Sequence, residues 1–125
     1  MRVAQPIKIL LLGANGQLGR ALMAQPLWRQ FATVALSHQQ LDITNTAVLA
    51  ELFSLHSPDV VINCAAFTGV DQAEQQAEQC YAVNTAAVHQ LAQLCQRYCS
   101  LFIQFSTDYV FSGSSTIAYS ETDEP

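Results

Sequence analysis

Short apolar runs alternate along the chain with longer segments in which apolar residues recur at helical spacing. The runs cover residues 7–12, 32–36, 60–64 and 101–105 and are rich in branched side chains. Runs of this kind predict strands that are buried on both faces of a sheet. The longer segments predict helices, so strand and helix alternate from one end of the chain to the other.

The intervening segments contain start and stop signals for helices. Residues 17–25 are good helix formers, and Pro26 closes the segment. Asn45 predicts an N-cap for a helix that runs to about His56, because apolar residues follow it at spacings of three and four. Residues 71–98 predict a short polar helix to about residue 79, and then a long helix with an apolar stripe.

Buried strands separated by helices predict an α/β protein with a Rossmann-like, doubly wound parallel sheet of about four strands. The length of 125 residues suits one domain, residues 1–125. Ligands of such sheets bind at the carboxyl ends of the strands. We therefore expect the chemistry in the loops that follow the strands, at residues 13–19, 37–44, 65–71 and 106–113.

Composition and charge exclude several classes of protein. Half of the residues are hydrophobic and the net charge is −5, which argues against a disordered chain. Asp and Glu outnumber Lys and Arg by 10 to 5, so we expect no nucleic-acid partner. No apolar run approaches the ~20 residues that span a bilayer, and the first run is too short for a signal peptide. We expect no membrane partner and a cytoplasmic location.

The four cysteines are Cys64, Cys80, Cys95 and Cys99, and no pair has Cys-x-x-Cys spacing. Cys95 and Cys99 share a face if their segment is helical, and with a histidine they could bind zinc. Small buried apolar residues are the more frequent role of unpaired cysteines. We predict no metal site.

A glycine-rich loop follows the first predicted strand and opens a helix. Gly13, Gly16 and Gly19 have the spacing Gly-x-x-Gly-x-x-Gly. Glycine permits a positive φ and lets backbone N–H groups approach a pyrophosphate, which the helix N-terminus also attracts. The glycines alone are compatible with a ligand-free turn, but the strand-to-helix context favours a dinucleotide site.

The end of the second strand does not decide between NAD and NADP. An acidic residue there would hold the ribose 2′-OH of NAD, and a cation would favour the 2′-phosphate of NADP. The chain has Ser37 and His38 at this place, and no Lys or Arg between Arg29 and Arg97. Ser37 and His38 could donate hydrogen bonds to a 2′-phosphate, although a solvated loop is the simpler interpretation of His38.

Four stretches carry a family resemblance: residues 13–19, 41–44, 63–74 and 106–113. With them the chain resembles the N-terminal part of the extended short-chain dehydrogenases/reductases, and more narrowly the dTDP-4-dehydrorhamnose reductase family. The resemblance implies NADPH as cofactor, with NADH also accepted. It implies cofactor contacts from these residues: Gly13, Gly16, Gln17, Leu18, Gly19, Asp42, Ile43, Ala66, Phe67, Thr68 and Phe105.

The resemblance also implies roles in the middle of the chain. Asp42 and Ile43 match a pair that lies beside the adenine, although Asp42 is also compatible with a plain surface turn. Phe67 either borders the cofactor or belongs to the core. Asn84 either steadies the active-site backbone or is a polar helix residue that faces solvent.

Thr107 is the catalytic candidate that the resemblance implies. A hydroxyl at this strand end can donate a hydrogen bond to a substrate carbonyl and polarise it toward hydride. Thr107 and Asp108 also match positions that contact the sugar nucleotide. The alternative is that residues 106–108 form only a turn or an N-cap.

The family mechanism uses a Tyr-x-x-x-Lys pair, in which the tyrosine donates a proton and the lysine lowers its pKa. Lys8 is the only lysine of the chain, so none of the four tyrosines has this partner. The resemblance therefore implies a domain that is incomplete at its C-terminal end, and we predict that the chain alone is inactive.

The implied function is the cofactor-binding part of an NADPH-dependent reductase that converts dTDP-4-dehydro-L-rhamnose to dTDP-L-rhamnose. Its parent would bind a nucleotide sugar and could form a homodimer. One alternative is another reductase or epimerase of nucleotide sugars. A second is a non-catalytic partner that resembles the regulatory beta subunit of methionine adenosyltransferase, and a third is a stand-alone dinucleotide-binding module.

Overall fold

A four-stranded parallel sheet forms the centre of the computed structural model, which describes residues 5–125. The strands lie in the order β2-β1-β3-β4, and every neighbouring pair is parallel. Their bounds are β1 Lys8–Leu12, β2 Ala32–Leu36, β3 Val60–Asn63 and β4 Leu101–Gln104. The predicted Rossmann-like parallel sheet is confirmed, and each predicted strand agrees with the observed one to within one residue at either end.

The helices connect these strands. They are α1 Gln17–Met23, α2 Thr46–His56, α3 Val70–Gln75, α4 Ala77–Tyr81 and α5 Ala87–Tyr98. A π-helical turn, Ala82–Ala86, joins α4 to α5, and short 3₁₀ turns occur at Pro26–Gln30 and Asp108–Val110. The predicted N-cap of α2 is confirmed, because the Val48 N–H donates to Asn45 Oδ1 at 3.2 Å.

The segment before α5 differs from the prediction. A single short helix to residue 79 was expected, but α3 ends at Gln75 and α4 begins at Ala77. Gln76 lies between them with φ −123° and ψ 43°, outside the helical region. Alanine and glutamine, which both favour helix, occur on each side of this break. The composition therefore does not predict the break.

The core lies between the sheet and the pair of helices α2 and α5. Leu10 and Leu12 of β1, Leu49 and Phe53 of α2, and Leu91 of α5 have no exposed surface. Burial of one such side chain contributes about 1.5–3 kcal/mol relative to an exposed one. The other face of β1 is buried too, at Ile9 and Leu11, as expected for a strand covered on both faces.

The strand order creates a switch point between β1 and β3. The chain leaves β1 toward β2 on one side, and β3 pairs with β1 on the other side. The loops that follow β1 and β3 therefore diverge at the carboxyl edge of the sheet and leave a crevice between them. This crevice is where a parallel sheet of this order binds its ligand.

The cysteines occupy different environments and form no disulfide within residues 5–125. Cys95 is buried against the core, and its burial raises the pKa of its thiol to about 11. Cys99 is exposed at the end of α5. In the part of the chain that the structure describes, no three His, Cys, Asp or Glu side chains come together as a metal site would require. No described helix combines the length and apolar character needed to cross a bilayer.

Candidate functional site

The turn after β1 fits closely against the end of β3. Gly13 has φ +77°, and a Cβ at this position would lie 2.6 Å from the Ala65 backbone nitrogen. The N–H groups of Gly13 and Ala14 both donate to the Leu36 carbonyl, at 2.9 and 3.0 Å. Two features therefore require glycine at residue 13: its positive φ and the close approach of the backbone that follows β3.

Two further glycines bring α1 down onto this turn. Gly19 is buried, and a Cβ there would collide with the Gly13 carbonyl and with Ala14. Gly16 is the N-cap of α1, and no described side chain caps this helix. The first N–H groups of α1 are therefore free to bind an anion, and the positive end of the helix dipole favours one.

A first cavity of about 400 Å³ opens at the ends of β1, β2 and β3. It contains parts of the glycine turn, of the loop after β2 and of α4, together with the chain that follows β3. No Lys or Arg of residues 5–125 lines it. Its lining residues include Gly13, Asn15, Gly16, His38, Gln39, Leu41, Asp42, Ile43, Cys64, Ala65, Ala66, Phe67, Gln79 and Val83.

Asp42 forms the local turn that one interpretation predicted, and it also lines the first cavity. Its Oδ1 accepts hydrogen bonds from the Thr44 N–H at 2.9 Å and from the Thr44 hydroxyl at 2.7 Å, which makes a local turn. These bonds hold the pKa of the Asp42 carboxyl below its usual value. Within residues 5–125 no hydrogen bond engages Oδ2, so an ionised acceptor is left at the cavity.

Ser37 does not offer a hydroxyl to a ligand. It is only 5% exposed, and both its N–H and its hydroxyl donate to Gln40 Oε1, at 2.9 and 3.0 Å. The expectation that Ser37 donates to a 2′-phosphate is therefore wrong in this arrangement, because Gln40 takes both of its donors. His38 remains as an exposed basic side chain at the cavity wall.

A second cavity of about 720 Å³ lies across the ends of β3 and β4. It shares Cys64, Ala65, Ala66 and Phe67 with the first, so the two are halves of one groove along the carboxyl edge of the sheet. We call this the groove below. The other residues that line its second half include Leu18, Asn63, Thr68, Val70, Asn84, Val88, Gln104, Phe105, Ser106, Thr107, Tyr109 and Val110.

Asn84 holds the chain where the two halves meet. Its Oδ1 accepts from the Phe67 N–H at 2.8 Å, and its Nδ2 donates to the Phe67 carbonyl at 3.0 Å. Nδ2 also lies 3.6 Å from Cys80 Sγ. The side chain therefore bonds to the loop after β3, while the residue as a whole remains exposed. Because one amide satisfies both backbone groups of Phe67, it fixes this residue at the groove.

A second polar pair ties β3 to β4. Asn63 is buried, donates through Nδ2 to Gln104 Oε1 at 2.8 Å, and accepts from the Ala65 N–H at 3.1 Å. Gln104 in turn donates to the Phe105 carbonyl at 2.9 Å. The ends of both strands are thus positioned together, and the position of Phe105 depends on that of Asn63.

Thr107 lies at the far end of the groove. The Tyr109 N–H donates to its Oγ1 at 3.2 Å, so Thr107 caps the 3₁₀ turn Asp108–Val110. Its hydroxyl donates to Asp108 Oδ1, also at 3.2 Å. The capping interpretation is therefore confirmed, and it coexists with a place in the wall of the second cavity. The hydroxyl could donate to a ligand after a rotation about its C–O bond.

Comparison with known proteins identifies the family. Residues 7–125 match the family described as the RmlD substrate binding domain. The chain belongs to this family. It is 40% identical over 117 residues to a dTDP-4-dehydrorhamnose reductase of Aggregatibacter actinomycetemcomitans, a match that covers 93% of this chain and 40% of that protein. It is 43% identical to the reductase of the same name from Streptomyces griseus, with 93% and 38% covered.

Solved structures of the same kind superimpose closely. A dTDP-4-dehydrorhamnose reductase from Bacillus anthracis, solved in complex with NADP, matches with a TM-score of 0.92 at 32% identity. That match covers 98% of this chain and 44% of the other. A Clostridium acetobutylicum reductase of the same name gives 0.90 at 40% identity, with 94% and 42% covered. The chain thus spans about two fifths of the length of the RmlD relatives it matches.

Most of the residues that the resemblance singled out lie together in the groove. Gly13, Gly16, Asp42, Ile43, Ala66 and Phe67 line its first half, and Leu18, Thr68, Phe105 and Thr107 line its second. Three do not: within the described chain, Gln17, Gly19 and Asp108 contribute to neither lining. Gly19 acts through packing, Gln17 is exposed on α1, and Asp108 accepts from Thr107.

Sequence reasoning missed several lining residues of this RmlD-family chain. Asn63 belongs to the stretch that carries the resemblance, but its pairing with Gln104 was missed because it depends on the register between β3 and β4. Gln79 and Val83 line the first half from α4 and the π turn. Their only sequence signal was the resemblance around Asn84, because a polar, glutamine-rich segment gives no sign of which face meets the groove.

Proposed function

We propose that this chain is the cofactor-binding part of an NADPH-dependent reductase that converts dTDP-4-dehydro-L-rhamnose to dTDP-L-rhamnose. The observation that carries the proposal is the continuous groove, with the glycine turn in its first half and Thr107 in its second. Membership of the RmlD family and the named reductases among its relatives support it. So does the NADP complex of the Bacillus anthracis structure.

The groove fits a dinucleotide. Gly13 and Gly19 leave the turn without side chains where Cβ atoms would meet backbone, so the chain can come close to a pyrophosphate at the N-terminus of α1. The adenosine half belongs beside the end of β2, because that strand end is where sheets of this type contact the adenosine ribose. His38, Asp42 and Ile43 would hold it there. The nicotinamide half then lies in the second cavity, beside Thr68 and Phe105.

We propose that the affinity for NADPH is modestly higher than the affinity for NADH. No described Lys or Arg lines the first cavity, so a 2′-phosphate would meet only His38 among the basic side chains there. No carboxylate stands at the end of β2 to select the unphosphorylated ribose. Both dinucleotides are therefore expected to bind.

The proposed reduction needs a hydride donor, a group that orients the substrate carbonyl and a proton donor, and this chain supplies only the second. The hydride of the reduction comes from the nicotinamide of NADPH when that cofactor is bound. Thr107 is proposed to orient the substrate carbonyl by donating its hydroxyl proton as a hydrogen bond. With Lys8 as its only lysine, the chain has no Tyr-x-x-x-Lys pair to supply the proton. We therefore expect the chain alone to bind cofactor and not to reduce a carbonyl.

A substitution at Gly16 tests anion binding at the N-terminus of α1. Gly16 has φ −69° and ψ 170°, angles that suit an N-cap aspartate, and an added Cβ meets only the Gly13 carbonyl, in a close contact of 3.3 Å. Gly16→Asp should weaken NADPH binding at least ~10-fold, because a carboxylate replaces the anion at the helix N-terminus. Circular dichroism checks that the variant is folded.

The matched control is Gly16→Asn, which has the same shape and no charge. It should bind NADPH more tightly than Gly16→Asp when both are titrated by the fluorescence of the reduced nicotinamide. Equal affinities in the wild-type chain and in Gly16→Asp would contradict the proposed site. A separate assay with the 4-keto nucleotide sugar should show no NADPH oxidation above a blank without protein, and oxidation would contradict the expected inactivity.

A further inference from the structure

Tyr119 lies outside the groove, and neither the family resemblance nor the proposed function gives it a role. Its ring stacks on the ring of Phe111, with 4.4 Å between the ring centroids and 9° between the ring planes. Phe111 directly follows Tyr109 and Val110, which line the second half of the groove. The stack therefore joins the end of the groove wall to a residue eight positions further along the chain.

Core packing does not hold this part of the wall. Tyr109 and Val110 line the groove, yet they are 78% and 43% exposed. Of residues 103–125, all of which the structure describes, only Phe111 is half-buried, and the others are exposed. Loss of the Tyr119 ring would expose Phe111 as well, and would leave the wall to hydrogen bonds between near neighbours.

The hydroxyl end of Tyr119 is held by the loop that leads to it. The Ser115 N–H donates to the phenol oxygen at 3.3 Å. Hydrogen bonds from the Ser112 hydroxyl and from the Ser115 N–H hold the pKa of Tyr119 below its usual value. The Ser115 hydroxyl also donates to the Ile117 carbonyl at 2.8 Å. The loop between the two stacked rings is thus closed by its own hydrogen bonds, and these keep the ring of Tyr119 over Phe111.

A preformed wall binds a ligand more tightly than a wall that the ligand must order, because the ordering then costs no binding free energy. A stacked aromatic pair shifts an equilibrium between an ordered and a disordered segment by about twofold to tenfold. The apparent affinity of a ligand that contacts the wall falls with the fraction of molecules in which the wall is ordered. A ligand that does not reach the wall is unaffected.

We infer that Tyr119 positions the wall formed by Tyr109 and Val110 through its stack on Phe111, and thereby raises the affinity for the ligand group that fills the second half of the groove. The inference rests on the proposed function, because that function puts the nicotinamide of the cofactor in this half. Tyr119 itself lines neither cavity of the described chain, so it is a positioning residue.

The test compares two ligands that differ only in the group at the wall. They are NADPH and 2′-phosphoadenosine-5′-diphosphoribose, the same molecule without its nicotinamide. Each is titrated into the 125-residue chain by calorimetry. The wild-type chain should bind NADPH more tightly, because only NADPH reaches the wall. Tyr119→Leu should weaken NADPH binding at least ~3-fold and leave the affinity for the shorter ligand unchanged.

Further variants identify the stack as the cause. Tyr119→Phe keeps the ring and should keep the wild-type ratio of the two affinities. Phe111→Leu should lower this ratio as Tyr119→Leu does, and the double variant should lower it no further, because either change removes the same stack. Ile117→Ala is the matched control, since Ile117 is 78% exposed in the same loop, and it should keep the wild-type ratio. Circular dichroism checks that each variant is folded.

The outcomes keep the two hypotheses apart. An unchanged ratio in Tyr119→Leu, with NADPH still bound, overturns the inference and leaves the proposed function standing. A ratio that falls as far in Tyr119→Phe also overturns it, because the ring is then not what holds the wall. Equal affinities of the wild-type chain for the two ligands overturn it too, because the nicotinamide then gains nothing from the wall.

Failure of the wild-type chain to bind either ligand overturns the proposed function and the inference with it. A lower ratio in Tyr119→Leu and in Phe111→Leu, with Tyr119→Phe and Ile117→Ala like wild type, supports the inference.

Discussion

The two halves of the groove are held in different ways. In the first half and where the halves meet, contacts join segments far apart in the chain: Gly13 lies against Ala65, and Asn84 holds both backbone groups of Phe67. In the second half, Asn63 and Gln104 still join β3 to β4, but the polypeptide after Phe105 is held by near neighbours. Thr107 forms hydrogen bonds with Asp108 and Tyr109, the next two residues along the chain. A similar local hydrogen bond links Ser115 to Ile117.

This difference separates a preformed site from one that opens easily. The long-range contacts join the turn after β1 and the π turn to the chain after β3, so they open only when these parts of the fold separate from one another. Local bonds among exposed residues can break without disturbing the core, and residues 112–125 are exposed throughout. The end at the glycine turn is therefore preformed, and the Thr107 end can adjust when a ligand arrives.

The largest expected effect comes from Gly13→Ala. Gly13 and Gly113 have nearly the same positive φ, +77° and +73°, but a Cβ at Gly113 meets nothing within 4 Å. Gly113→Ala should lower the free energy of unfolding by about 1 kcal/mol, the effect of the backbone angle alone. Gly13→Ala should lower it by roughly 3 kcal/mol or more, because the new Cβ also meets the backbone of Cys64 and Ala65, directly after β3. Urea unfolding followed by circular dichroism measures both, and equal losses would refute the packing argument.

Asn84→Ala should have an intermediate effect at the junction of the two halves. It removes two hydrogen bonds to Phe67, and we expect a loss of about 1–2 kcal/mol in unfolding free energy and a weaker affinity for NADPH. Thr85→Ala is the control, because Thr85 is exposed on the same π turn. If NADPH affinity and stability are the same in both variants, Asn84 does not position the groove.

Thr107→Val should have a small, local effect. It removes the cap of the turn Asp108–Val110, and the amide proton of Tyr109 should exchange faster by an amount equivalent to at most about 1 kcal/mol. Global unfolding and NADPH affinity should stay close to wild type, whereas Thr107→Ser should keep the slow exchange. A large fall in global stability would show that this end is not held locally.

The smallest effect concerns the titration of Asp42. Its pKa in the folded chain is lowered by the bonds from Thr44, so it contributes stability above the pKa of the unfolded state, which is lost as the pH falls through the lower folded value. That window lies below about pH 4. Thr44→Val removes the hydroxyl bond and keeps the backbone one, so it should raise the pKa of Asp42 part of the way to its usual value, as seen by NMR of its carboxyl carbon. No movement would mean that the bond from the Thr44 hydroxyl is not formed in solution.

Local patterns sufficed for much of the fold. The apolar run at 32–36 coincides with β2, and the spacing after Asn45 identified the cap of α2. These features depend on residues within one or two turns of each other. The glycine turn and most of the lining of the groove followed from position at strand ends and from the family resemblance.

The features that were not predicted are of two kinds. Some depend on contacts between residues far apart in the sequence, and others are backbone conformations that the amino-acid composition does not indicate. The pairing of Asn63 with Gln104 needs the register of two strands. The hydroxyl of Ser37 was expected to be available because nothing in the sequence singled out Gln40 as its acceptor. The break at Gln76 lies among alanine, glutamine and glutamate residues that suit a regular helix. Val83, Asn84 and Thr85 of the π turn are weaker helix formers, but nothing in them specifies a π turn.

The π turn at Ala82–Ala86 sets the angular phase between two helices. Such a turn contains one residue more than an α-helical turn would, and each residue rotates a helix by about 100°. Deletion of one residue there would restore a regular α-helix and rotate α4 by that angle relative to α5. With the apolar stripe of α5 kept against the core, Gln79 would then leave the groove. The extra residue of the π turn thus allows α5 to pack against the core while Gln79 of α4 lines the groove.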